Sequence, residues 1–342
     1  MRAAIKESFT KFVDKALEQR ADLAVLAGDT FANVDISQHL IDFAIAEFKR
    51  LEQIPTVIMP GQSDNYEKES FWTRWQVSPP AENIIVLNEN RPTANIENLD
   101  TRVYGYLLSR DGGNLPKNIK SDGDFKYRIA VVYDDSDSSA QSGVISSYRE
   151  KLLTAGFDYI ALGGKNECAD FVELGMKAAY SGSPLAFSPD LKESGYVLAV
   201  NLEKNSVKIE KIRVSEIAWK EIELPMETVV NMNDLKGKLL EHAGAQVILN
   251  VSLSGLALLE TGISTIQIRD ELESSFLHIR VSDNSSVLPD NVSGIKVQEK
   301  TIMGQYLKLM IEKLNAAGES EKRALEESLK VGYALLSGRE IW

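Results

Sequence analysis

The sequence is poor in the side chains that carry most metal and redox chemistry. It has one cysteine, Cys168, and three histidines, His39, His242 and His278, in 342 residues. A single cysteine excludes an intrachain disulfide and any paired-thiol zinc or redox motif. Three scattered histidines cannot build an imidazole-rich dinuclear centre, and each reads as a surface or packed residue. Apolar runs are too short to span a bilayer, and no basic-then-apolar signal sequence opens the chain, so the expectation is a cytoplasmic protein with no membrane partner. Positive charge is also scarce: 38 Lys and Arg face 50 Asp and Glu, a formal net charge of −12. The average surface therefore repels a phosphate backbone. The densest basic cluster, Lys204, Lys208, Lys211 and Arg213, is interleaved with Glu203, Glu210 and Glu216 and reads as a solvated strand face. A Walker lysine loop, a GxSxG elbow and a GxGxxG turn are all missing.

What is present is enough apolar material, 44% of residues, for a large domain and a smaller one. Two short apolar runs, Leu23 to Ala27 and Thr56 to Met59, lead into Gly28-Asp29 and Gly61-Gln62-Ser63-Asp64. Between them Leu40, Ile41, Ala44, Ile45, Phe48 and Leu51 recur at helical spacing behind Ser37, a residue suited to an N-cap. That is a β-α-β unit, which brings both glycine turns to the C-terminal edge of a parallel sheet, where α/β proteins bind ligands.

Upstream, Ile5, Phe9, Phe12, Val13, Ala16 and Leu17 make an amphipathic helix over residues 3–19. Downstream, the aromatic run Ser70 to Trp75 reads as core or subunit interface in preference to a base-stacking platform. Residues 84–89, 101–107 and 128–132 read as strands, Asp111 to Asp124 as a surface loop, and Ser146 to Leu153 as helix. Beyond Arg213 the pattern changes. Strands are expected over Lys220 to Val230, Gln246 to Ser252 and Leu277 to Val281, with helices over Asn233 to His242, capped by Asn233 or Asp234, and Ser264 to Phe276. The tail from Thr301 to Trp342 carries two apolar stripes, one through Leu307, Ile311 and Leu314 and one through Leu325, Leu329, Gly332 and Leu336, split at Ala317-Gly318. Such helices dock on their own protein or offer a face to a partner.

LAGDTFA at 26–32, PTVIMPGQSD at 55–64, FDYIALGGKNE at 157–167, AAYSGSP at 178–184 and ESGYVLAVNLE at 193–203 together resemble the calcineurin-like metallophosphoesterases, and within them the SbcD-type DNA repair exonucleases. The resemblance implies a metallophosphoesterase-like αββα sandwich over 1–215 lacking its first strand. It further implies a small α+β capping domain over 216–298 and a C-terminal helical partner-binding segment over 299–342. It also implies an SbcC-type coiled-coil ATPase as partner, contact with DNA only through that complex, and a second copy of the chain as a further partner.

Two-metal phosphodiester hydrolysis needs two cations, a bridging carboxylate and imidazole or oxygen ligands around them. The family would use two manganese ions, and the resemblance assigns their surroundings to positions that have changed here. The first-motif Asp-x-His has no counterpart in the chain. Asp29 keeps the bridging carboxylate, Gln62 replaces the Asn of GNHD, Ser63 its catalytic His, and Asp64 keeps a supporting role. Tyr133 replaces a strand-end His, and Gly164 and Asn166 replace the two His of GHxH. The expectation is a vestigial site, with no catalytic residue, metal or other cofactor, in a silent SbcD-like subunit of an SMC-like ATPase DNA-processing complex. The alternative is a residual metal-dependent phosphodiesterase or exonuclease, using a missing N-terminal segment or the carboxylates Asp29, Asp64, Asp134, Asp135, Asp137, Glu167 and Asp170. Lys165, beside Gly163-Gly164, could meet a phosphate but reads more simply as a solvated loop lysine.

Overall fold

Strand β1 (Ala24–Ala27) pairs in parallel with β2 (Thr56–Met59), Ala24 opposite Thr56 and Ala27 opposite Met59, with helix α2 (Gln38–Arg50) as the crossover. The expected β-α-β unit is present, and β3 (Ile84–Val86) adds a third parallel strand beside β2. Ser37 occupies the N-cap position of α2 with extended backbone, but its side chain makes no capping hydrogen bond. At the other end Asn83 Nδ2 donates to the carbonyls of Leu51 (2.9 Å) and Ile54 (3.1 Å), supplying acceptors left over where the helix stops with a partner.

The structure, a computed structural model, describes residues 2–66, 70–108, 121, 123–134, 150–203, 206–258, 264–288 and 301–336. Most of the loop expected over Asp111 to Asp124, the first part of the helix expected over Ser146 to Leu153, and Asp135, Asp137 and Lys204 lie outside these residues. Residues 150–154 are helical. The chain divides into two compact units, Met1–Glu216 and Ile217–Trp342.

In the first unit the side chains of β2 alternate between two cores, as the period of two requires. Ile58 joins Ile41, Ala44 and Phe48 of α2, and Phe71, Trp72 and Trp75 of α3 (Phe71–Val77). Of the two readings of the aromatic run, core and subunit interface, the structure has Phe71, Trp72 and Trp75 in the core. Helix α1 (Arg2–Glu18) adds Val13 against Ala24, Leu51 and Ile54. Val57 and Met59 point the other way, onto Val103, Ile129, Val131 and Tyr159 of a second sheet.

That sheet has the order β4 (Thr93–Ile96), β5 (Thr101–Leu108), β6 (Tyr127–Asp134), β7 (Tyr159–Gly163), β9 (Ala178–Tyr180), β8 (Ala169–Asp170). Its four central strands are parallel, and β4 and β8 are antiparallel edges. Its far face, with Ala130, Val132, Ile160, Leu162 and Tyr180, packs on Leu152 and Ala155. The unit is thus layered helix, sheet, sheet, helix. The strand expected in ESGYVLAVNLE is β10 (Tyr196–Leu202), which pairs with β11 (Val207–Arg213) as a separate hairpin over the inter-sheet core. The basic cluster is split by this hairpin. Lys208 lies on one face, while Lys211 and Arg213 lie on the other, where Lys211 pairs with Glu193 (3.1 Å) and Arg213 stacks over Tyr196.

In the second unit β12 (Ala218–Pro225), β13 (Gly244–Ser254) and β15 (Phe276–Asp283) form a parallel sheet with β13 central. The strand expected to reach Val230 stops at Pro225, whose missing N–H cannot extend a ladder, and a tight turn follows over Met226–Thr228. Helix α4 (Met232–Leu240) is capped by Asn231, which accepts from Asp234 N–H at 3.0 Å, rather than by Asn233 or Asp234. Asp234 is inside the first turn, and its carboxylate accepts from Val230 N–H (3.0 Å). Helix α5 (Thr265–Leu272) is capped by Ser264, and Leu235, Leu239, Ile268 and Leu272 of the two helices bury one sheet face. A short parallel pair, β14 (Leu256–Leu258) with β16 (Ser286–Leu288), has no periodicity that betrays it. The tail forms α6 (Ile302–Ala316) and α7 (Glu319–Leu336), which pack on each other through Leu307, Met310 and Leu329 with Leu314 and Leu325 alongside. Much of the two stripes is thus spent on an internal helical hairpin, while Leu336 remains exposed. Among the described residues no helix is long and apolar enough to cross a membrane.

Candidate functional site

In the first unit the C-terminal ends of β1, β6 and β7 meet closely. A Cβ on Gly163, which ends β7, would fall 1.4 Å from the Ala27 carbonyl oxygen at the end of β1. One on Gly28 would fall 2.0 Å from the Tyr133 ring near the end of β6. Both glycines are required by close approach, Gly28 also by its φ of +95°.

Around this junction two carboxylates cross-link the loops after β1 and β2. Asp29, held at φ +48°, accepts from Ser63 N–H through Oδ1 (2.8 Å) and from the Tyr133 hydroxyl through Oδ2 (2.5 Å). Asp64 returns the link: Oδ1 accepts from Gly61 N–H (2.8 Å), Oδ2 from Phe31 N–H (3.0 Å), and its carbonyl from Trp72 Nε1 (2.7 Å). Each loop thus donates a backbone amide to the other loop's carboxylate. Asp64 is fully buried. Burial pushes its carboxyl up to about 6, against the opposing pull of the Gly61 and Phe31 amides and with added repulsion from Asp29.

A third carboxylate sits one residue beyond Tyr133. Asp134 is fully buried, accepts from the Tyr180 hydroxyl (2.9 Å), and lies 3.5 Å from Lys165 Nζ. Burial, then the Asp134 charge, raises the Tyr180 phenol above its ordinary range. The expectation of a solvated lysine fails here. Lys165 has an 8%-exposed side chain, because a buried carboxylate draws the ammonium inward.

The seven singled-out residues do not converge on one point. Asp29, Ser63, Asp64 and Tyr133 join one network with the Gln62 side chain exposed beside it, and Gly164 lies against Asp134, where a Cβ would be 2.1 Å from the Asp134 carbonyl oxygen. Asn166 is exposed, and its carbonyl instead accepts from Ser183 N–H (2.9 Å) at the β9 turn. The Asp134–Lys165–Tyr180 group is what the pattern did not disclose. Its only sequence signal was three polar residues at or beside separate strand ends. Of the other carboxylates weighed, Asp170 is exposed on β8 and Glu167 is half-buried. His39 contacts Lys6 (3.0 Å) on the helical surface, and His278 is exposed on β15.

Among the described residues the donor set does not fit a pair of transition-metal ions. No imidazole enters the loops, both Asp29 oxygens already accept protein hydrogens, and Asp64 and Asp134 are directed at amides, a phenol and an ammonium. Among the described residues no three His, Cys, Asp or Glu side chains gather so as to hold a metal.

What the arrangement does is hold strand ends together. Tyr133→Phe removes only the hydroxyl donated to Asp29, and should lower the unfolding free energy by about 1 kcal/mol because Asp29 can turn to water. Urea unfolding of the two proteins measures it, and a loss several times larger would mean that Asp29 depends on the phenol. No protein-family model matches the chain, and no curated protein matches it either.

Proposed function

We propose that this chain is a catalytically silent homologue of the SbcD-type exonucleases, with a phosphoesterase-like αββα domain, that serves as a structural subunit of an SMC-like ATPase DNA-processing complex. One observation carries the reading: Asp29, Ser63 and Tyr133, three of the residues that would surround two cations, are instead bonded to one another. Tyr133 donates its hydroxyl to the one ligand carboxylate that remains, and Gly164, at an imidazole position, has no room for a side chain. The helix–sheet–sheet–helix layering and the parallel junction of glycine turns agree with that ancestry. The acidic net charge agrees with reaching DNA through a partner and not directly.

The test is a manganese series with bis-p-nitrophenyl phosphate and linear duplex DNA, together with elemental analysis of the purified protein. Background rates and far less than one equivalent of manganese or iron per chain are expected, with co-purification of a coiled-coil ATPase. A manganese-dependent rate that Asp29→Asn removes would instead establish the residual-phosphodiesterase alternative.

A further inference from the structure

Strands β12, β13 and β15 form a sheet that is parallel throughout, and helices α4 and α5 cover one of its faces. All-parallel sheets are ordinarily covered on both. The other face carries side chains of a different kind. Its first row is Trp219, Ile248 and His278, its second Glu221, Asn250 and Arg280, and its third Glu223, Ser252 and Ser282. Ile248 is buried and Trp219 half-buried, so the first row closes one end. The second and third rows line an open groove of about 530 Å³, a size within the range of small-ligand sites. Glu221, Glu223 and Arg280 are exposed there, while Asn250, Ser252 and Ser282 are half-buried. The groove therefore has an acidic edge, a neutral hydrogen-bonding floor and a basic edge.

We propose that this groove binds a peptide of about three residues with free termini, lying across the strands. The charges set its direction. Glu221 and Glu223 on β12 take the ammonium, and Arg280 on β15 takes the carboxylate, which a guanidinium holds through two parallel hydrogen bonds. Among the described residues Arg280 has no ion-pair partner, so its fork is open to a ligand. The spacing sets the length. β12 and β15 flank β13, and with strands about 4.8 Å apart they stand roughly 10 Å from each other. An extended chain spans about 3.3 to 3.6 Å per residue, so three residues bridge the two charged edges, whereas two stop short and four overshoot. The floor supplies partners for the peptide groups between. Ser252 Oγ accepts from Asn284 Nδ2 at 3.0 Å, which leaves its own O–H to donate to a peptide carbonyl. Asn250 Nδ2 is 3.5 Å from Glu221 Oε1, too far for a strong bond, and Asn250 Oδ1 accepts a peptide N–H. Because every one of these contacts goes to termini or backbone, the groove selects length and free ends rather than residue type.

Isothermal titration calorimetry of the full chain with trialanine tests this. One site with a dissociation constant of about 1 mM or tighter is expected. N-acetyl-trialanine and trialanine amide should each bind roughly tenfold more weakly or worse, because each leaves a charged group of the groove unmatched. Two variants at exposed positions assign the ends. Arg280→Met should bind trialanine and its amide alike while still discriminating against the acetylated peptide. Glu221→Gln should do the reverse, losing much of the discrimination against acetylation and keeping that against the amide. A groove merely deformed by substitution would lose affinity for all three peptides together, so the crossed pattern reads the contacts themselves. The proposal is overturned by a wild-type protein with no saturable binding up to about 10 mM, by equal affinity for free and blocked peptides, or by an Arg280→Met protein that keeps its full preference for the free carboxylate.

Discussion

Gly163→Ala should lower the unfolding free energy by about 4 kcal/mol or more, enough to leave much of the protein unfolded or insoluble. The added methyl would sit 1.4 Å from the Ala27 carbonyl oxygen, so β1 and β7 must part for it to enter. Neither neighbour is a flexible side chain that could swing aside. Parting them also disturbs what sits on that junction: Tyr133 against Gly28, and through its hydroxyl the Asp29 carboxylate. Gly237→Ala is the matched control. It lies within α4, where a Cβ meets nothing within 4 Å, and there alanine should add about 0.5 to 1 kcal/mol by helix propensity. Urea midpoints of the three proteins decide the matter, and a Gly163→Ala protein within 1 kcal/mol of wild type would show that the strand ends are not in contact.

The same junction marks where sequence reading reaches its limit. Local periodicity was sufficient for the first β-α-β unit, for the aromatic core of α3 and for the alternating helices and strands of the second unit, because burial there repeats at fixed spacing. Cap and end positions were less legible. Asn231, Asn233 and Asp234 are interchangeable as types, and only the backbone geometry selects Asn231. The tail stripes declared that they would be buried but not against what, since an apolar face has no address of its own.

At the candidate site, the sequence singled out Asp29, Ser63, Asp64 and Tyr133 but not the hydrogen bonds that tie them to one another and to their loops. Tyr133, Lys165 and Tyr180 are far apart in the chain, and no spacing rule links a phenol or an ammonium to a carboxylate across a sheet. Lys165 looked like a solvated loop residue because the burial of Asp134 is a property of the assembled sheet ends.

The burial of Asp64 has a consequence that pH can read. Two backbone amides bonded to a carboxylate favour its charged form, whereas removal from water disfavours it, and here desolvation is the larger effect. The carboxyl lies at about 6, above its ordinary value of 3.8. Between those two values the folded protein holds a proton that the unfolded chain has released. Stability from this group is therefore fully present below about pH 4 and is lost as pH rises through about 6, a change of about 3 kcal/mol. Asp64→Asn keeps the shape but cannot ionise. The difference in unfolding free energy between wild type and Asp64→Asn should thus shift by about 2.4 kcal/mol against the wild type as pH goes from 4 to 7, most of the full change. Taking the difference removes the other carboxylates, whose titration is common to both proteins. Asp64→Ala should be destabilising at every pH by about 2 to 4 kcal/mol, because Gly61 N–H and Phe31 N–H would both lose their acceptor in a buried place. Urea unfolding at half-unit steps of pH measures both variants. A wild-type to Asn difference that stays flat, or that grows in favour of the wild type as pH rises, would mean that the two amides outweigh burial and that Asp64 stays ionised throughout.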